Sequence, residues 1–145
     1  MIDRSLDVIH INAGLHDLAR MEHDAHQIAI EPYRENVLAI MRGVLDNSDA
    51  KLIWATTTPV HDERLFLRYG RQHRTNSDVQ MYNESATKIA QDVGVVVNDL
   101  YGFVMETGVE EMLSDDGVHF TEHGSALLGQ TVAEKIKAVL PQLPR

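Results

Sequence analysis

The chain has 145 residues, 43% of them hydrophobic, which is enough for one buried core and too little for two full domains. Its formal charge of −9 argues against a nucleic-acid groove, which needs clustered Lys and Arg to neutralise phosphate. It has no cysteine, no apolar run near the roughly 20 residues that span a bilayer, and no basic-then-apolar leader in Met1 to Arg20. Disulfide, thiolate and membrane-spanning chemistries drop out, and a cytoplasmic polypeptide is expected as the chain stands, although a secretion signal on a longer form would lie ahead of Met1.

The first predicted element is a strand over Asp7 to Asn12, ending in a tight turn at Ala13-Gly14. Pro32 sits at a first helical position, and Tyr33, Val37, Ile40, Met41, Val44 and Leu45 recur at helical spacing until Asp46 to Asp49 break the pattern. A second, buried-type strand follows over Lys51 to Thr56, with Pro59 marking the loop beyond it. His61 to Asn76 has no clear period and reads as a long loop with at most a short helical piece. Asn76 or Ser77 then caps a helix whose apolar face is Val79, Tyr82, Ala86, Ile89 and Val93, and Gly94 ends it. Val95 to Asn98 is the third strand. One or two short helices fill the stretch to Leu113, and a last helix spans Thr121 to Leu140 before Pro141 and Pro144, with Ala126, Leu128, Val132, Ile136 and Val139 facing inward. Strands alternating with helices imply parallel pairing in one α/β sandwich.

Two stretches carry candidate chemistry. Asp116-Gly117-Val118-His119 lies just ahead of the last helix, where a carboxylate can reach the histidine across a tight turn. Such an acid fixes the imidazole tautomer and leaves the other ring nitrogen free to take a proton. The same spacing also fits a solvated Asp-Gly turn. Gly14-Leu15-His16-Asp17 opens the loop after the first strand, at the end of the sheet where α/β folds build their sites. There Gly14 permits the turn and His16 offers an N–H to a developing oxyanion, or else the stretch is a surface turn capped by Asp17.

Other residues admit other readings. His119, Glu122 and His123 match the H-x-x-E-H zinc pattern, but the flanking glycines put His119 in the entry loop rather than on a helical face. His23 and His26 are three apart and are assigned no role. Arg64, Arg68, Arg71 and Arg74 either line an entrance for an anionic substrate or belong to a solvated loop. Trp54, Met41, Met81, Met105 and Met112 read as core filler.

Taken in order, the Gly14 to Asp17 and Asp116 to His119 stretches resemble the third and last motifs of the SGNH (GDSL-type) ester hydrolases. The segments Y-R-E-N-V, K-L-I-W-A-T-T-T-P-V, Y-N-E-S-A and V-V-V-N-D-L-Y between them fit the same family. That resemblance implies a three-layer, flavodoxin-like α/β sandwich and hydrolysis of a small-molecule carboxylic ester without metal or organic cofactor. It makes His119 the general base, Asp116 its orienting acid and His16 the oxyanion donor, in a position where the family usually has Asn. The family's G-D-S motif with the nucleophilic serine, and its second glycine motif, do not occur in the chain, and Ser5, Ser114 and Ser125 are not in that context. A non-catalytic binding protein on the same fold is therefore a competing reading. With the strand that bears G-D-S missing, Asp7 to Asn12 becomes a sheet edge, and a homo-oligomer built on that edge is expected.

Overall fold

The computed structural model describes residues 6–140, apart from the side chain of Glu22; Ser5, Pro141 and Pro144 lie outside these residues. Three strands, β1 (Val8–Asn12), β2 (Lys51–Ala55) and β3 (Val96–Asn98), form a parallel sheet in that order. The register sets Ile9 beside Leu52, Ile11 beside Trp54 and Trp54 beside Val97. Among the described residues six helices accompany the sheet, giving the α/β class that the alternation of elements implies.

Helix α1 (Ile30–Asn47) begins two residues earlier than its proline suggested. Pro32 is its third residue, where an N–H has no intrahelical partner in any case. Tyr33, Val37, Met41 and Val44 are buried, whereas Ile40 and Leu45 are each 41% exposed, so the buried stripe is narrower than expected. Helix α3 (Asn76–Asp92) is capped ahead of both expected caps, by Thr75, whose hydroxyl accepts the Asp78 N–H at 3.2 Å. It contributes Val79, Tyr82, Ala86 and Ala90 to the same core as α1, together with Leu52, Trp54, Val60 and Leu65. Ile89 and Val93 are only partly buried.

The stretch read as a loop contains a helix, α2 (Asp62–Tyr69). His61 caps its start and Gly70, in the left-handed region at φ +65°, ends it. The periodic signal is weak because Leu65 is its single buried residue, while Phe66, Leu67 and Tyr69 are exposed. Beyond β3 come α4 (Leu100–Thr107), capped by Asp99, and the single turn α5 (Val109–Met112).

Helix α6 (Glu122–Val139) is capped by Thr121, whose hydroxyl accepts the Gly124 N–H at 3.0 Å. Gly124 sits so close to α5 that a Cβ there would lie 2.5 Å from the Met112 carbonyl oxygen. Apart from this glycine no residue of α6 is buried; the expected inward residues Leu128, Val132, Ile136 and Val139 are half-buried and Ala126 is exposed. Trp54, Met41 and Met112 fill the core as expected, but Met81 and Met105 face solvent.

Candidate active site

The strands are parallel, so the loops following β1, β2 and β3 emerge at one end of the sheet; Gly14 to Asp17 lie in the first of these loops, and the turn bearing Asp116 and His119 is tied to the second by the His61 N–H, which donates to the Gly117 carbonyl at 2.8 Å. At the first loop, Ala13 presents its carbonyl to two buried hydroxyls, Tyr33 Oη at 3.1 Å and Thr57 Oγ1 at 3.3 Å. Gly14 follows at φ +142°, and a Cβ there would lie 2.6 Å from Thr57 Oγ1 and 3.2 Å from Tyr33 Oη. Both backbone conformation and space therefore demand glycine. The Leu15 carbonyl accepts from Arg74 Nε at 2.8 Å. His16 is exposed at the expected strand end, and its side chain makes no hydrogen bond among the described residues.

The second part is a closed turn over residues 113–120. Leu113 and Phe120 pair as an antiparallel bridge, Ser114 N–H donates to the His119 carbonyl at 2.7 Å, and Gly117 N–H donates to the Ser114 carbonyl at 3.0 Å. Gly117 has φ +76°, and a Cβ there would come 3.0 Å from Arg64 Cβ and 3.1 Å from the His61 carbonyl.

Inside this turn Asp116 and His119 meet. Oδ1 of Asp116 accepts from the Ser114 hydroxyl at 3.0 Å, the Val118 N–H at 2.9 Å and the His119 N–H at 2.8 Å. Oδ2 lies 2.5 Å from His119 Nδ1. The His119 imidazole holds the Asp116 carboxyl well below the usual carboxylate range; burial opposes this, and the two N–H groups and the Ser114 hydroxyl reinforce it. An ionised carboxylate only accepts, so Nδ1 must carry the proton. The His119 side chain is 81% exposed, and its Nε2 makes no hydrogen bond among the described residues, leaving a lone pair for an incoming proton.

His119 precedes the Thr121 cap, so it does not share a helical face with His123 in the first turn of α6. Among the described residues no three His, Asp or Glu side chains gather as metal ligands would. His26 Nε2 lies 3.0 Å from Asp78 Oδ1 but off the line of a hydrogen bond, and its ring meets Tyr82 edge-on at 5.4 Å.

Sequence reasoning missed the supports of these two turns. Asn83 on α3 grips Thr57 from both sides, accepting its N–H and donating to its carbonyl, each at 2.8 Å. Three of the four arginines weighed as an anion entrance are hydrogen-bonded to the chain itself: Arg64 with Glu110 and two carbonyls, Arg71 with the Met21 carbonyl and Arg74 with that of Leu15. Their spacing was the available signal, but its partners lie 46 to 59 residues away and cannot be read locally.

The model of the GDSL-like lipase/acylhydrolase family matches residues 2–127. The chain is 25% identical over 150 residues to isoamyl acetate-hydrolyzing esterase 1 homolog of Homo sapiens, covering 97% of this chain and 60% of that protein. Its fold superposes on a lipase/acylhydrolase of Enterococcus faecalis with a TM-score of 0.77 at 24% identity, over 96% of this chain and 65% of that one. A GDSL-like lipase of Bacteroides thetaiotaomicron gives 0.69 at 18% identity, over 92% and 63%. The chain thus spans less than two thirds of the length of these relatives.

Proposed function

Because the chain belongs to the GDSL-like lipase/acylhydrolase family, we propose that it carries the acid–histidine half of a site that hydrolyses small carboxylic esters. The observation behind this reading is the short Asp116 to His119 contact with the outer ring nitrogen left open. His119 Nε2 removes the proton from a nucleophilic hydroxyl as that oxygen attacks the ester carbonyl, and Asp116 stabilises the imidazolium that forms. His119 then returns the proton to the departing alcohol, leaving an acyl-enzyme that water, activated by the same base, hydrolyses. His16 assists the oxyanion through its side-chain N–H. The scheme uses no metal or organic cofactor.

The nucleophile in this reading is a serine outside the 145 residues. G-D-S does not occur among them, and the Ser114 hydroxyl is committed to Asp116 Oδ1. The chain alone is expected to show only a residual rate, about three to four orders of magnitude above water, as other triads do when one member is removed. The test is p-nitrophenyl acetate hydrolysis by the chain and by a form lengthened at its N-terminus with a hydrophobic strand ending in Gly-Asp-Ser. The lengthened form should be at least about a hundredfold faster, and His119→Ala should abolish the gain. Equal rates for the two forms would favour a binding protein that shares the sheet.

We also propose that the 145-residue chain self-associates through β1. This strand has one neighbour, β2, among the described residues, so its other edge offers unpaired N–H and C=O groups.

A further inference from the structure

One segment touches both halves of the site. After β2 the chain runs through Val60 and His61 into α2, and on through Arg71, His73 and Arg74 to the cap of α3. At its far end, Arg74 holds the Leu15 carbonyl beside His16, Arg71 holds the Met21 carbonyl at 2.9 Å, and the His73 carbonyl takes the Arg20 N–H at 2.8 Å. At its near end, the His61 N–H donates to the Gly117 carbonyl at 2.8 Å, in the middle of the acid–histidine turn.

Arg64 makes the most hydrogen bonds of these ties. Nη1 donates to the carbonyls of Leu113 at 3.2 Å and Ser114 at 3.3 Å, the two residues through which the chain enters the turn. Nη2 donates to Glu110 Oε2 at 2.6 Å, and Glu110 Oε1 lies 2.6 Å from His61 Nε2. His61 Nδ1 accepts the Arg64 N–H at 3.4 Å, which puts the His61 proton on Nε2, facing Glu110. Ser114 in turn closes the turn through its carbonyl and binds Asp116 through its hydroxyl.

We propose that Arg64 is a positioning residue for the general base, holding the turn in which Asp116 grips His119. The proposal rests on the assignment of His119 as that base. Charge alone does not account for it, because Glu110 is 71% exposed and an exposed ion pair contributes little. The planar fork accounts for it: one guanidinium spans a carboxylate and two carbonyls, which an ammonium does not reproduce.

The test uses the 15N-labelled chain with Arg64→Met and reads amide hydrogen exchange at Val118 and His119, whose N–H groups bind Asp116 Oδ1. Both amides should exchange at least about tenfold faster. The His119 Nδ1 proton signal should also broaden, while the β2 amides of Ile53 and Trp54 keep their rates. Arg64→Lys should behave like Arg64→Met. Wild-type exchange and an unchanged ring signal in Arg64→Met would overturn the proposal, as would full restoration by Arg64→Lys. Should Arg64→Met fail to fold, Arg64→Lys, which keeps the charge and loses the fork, should accelerate the same two amides, and no acceleration there would overturn the proposal. Ester turnover does not enter this readout: accelerated exchange in a protein without esterase activity would uphold the role of Arg64 and count only against the hydrolase reading.

Discussion

At Asp116, three donors occupy one carboxylate oxygen and the His119 ring occupies the other, so the side chain has little freedom left. Its carboxyl is depressed chiefly by that ring, and a depressed acid contributes stability above its unfolded pKa and loses it as pH falls through the folded value. Asp116 should therefore remain ionised at about pH 3, below the ordinary aspartate midpoint near 4, when followed by its carboxyl carbon shift. A midpoint near 4 would contradict the pairing. Asp116→Asn should leave the fold intact and lower esterase turnover in the serine-bearing form by about three to four orders of magnitude, since an amide no longer fixes the base's tautomer. Gly14 supports a different prediction. With φ +142° and Thr57 Oγ1 at 2.6 Å from any added Cβ, Gly14→Ala should cost about 1–3 kcal/mol in chemical denaturation.

Between elements, buried polar side chains fasten loops to helices. Asp78, 3% exposed at the start of α3, takes Arg20 Nε and Nη2, each at 2.8 Å, tying the loop after β1 to α3. Burial pushes its carboxyl up, but Arg20, Thr75 and His26 together hold it below its ordinary value. The sign follows as for Asp116: this clasp stabilises the fold above about pH 4 and weakens as pH falls through the lowered midpoint. Melting temperature should thus drop on acidification less steeply in Asp78→Asn than in wild type, and parallel curves would contradict the clasp. The elements most visible in sequence were those with continuous apolar periodicity, α1, β2 and α3. Helix α2 was legible only as a short helical piece without bounds, because it buries Leu65 alone and turns three large hydrophobics outward. Thr75 was missed as a cap because two capping residues follow it.

For the whole molecule, the alternation of strands and helices and the two short motifs were enough to place the fold class and the family. The ties that hold the site were not legible, because Arg64, Arg74 and Asn83 act on partners 26 to 59 residues distant. Helix α6 shows the same limit: its apolar spacing forecasts a buried face, yet beyond Gly124 its residues stay partly or fully exposed. That half-covered helix and the open edge of β1 lead to the expectation that the 145-residue chain is a dimer or larger at micromolar concentration by light scattering, and a monomer would count against association through β1.

Catalysis by the Asp116–His119 pair depends on which nitrogen of His119 holds the proton. Long-range 1H–15N spectra of the histidine rings in the neutral form report this directly. The structure predicts Nδ1–H with a bare Nε2 in the wild-type chain, and loss of that preference in Asp116→Asn. A wild-type His119 protonated at Nε2 would place its proton where a general base needs a lone pair, and the acid–histidine mechanism could not operate.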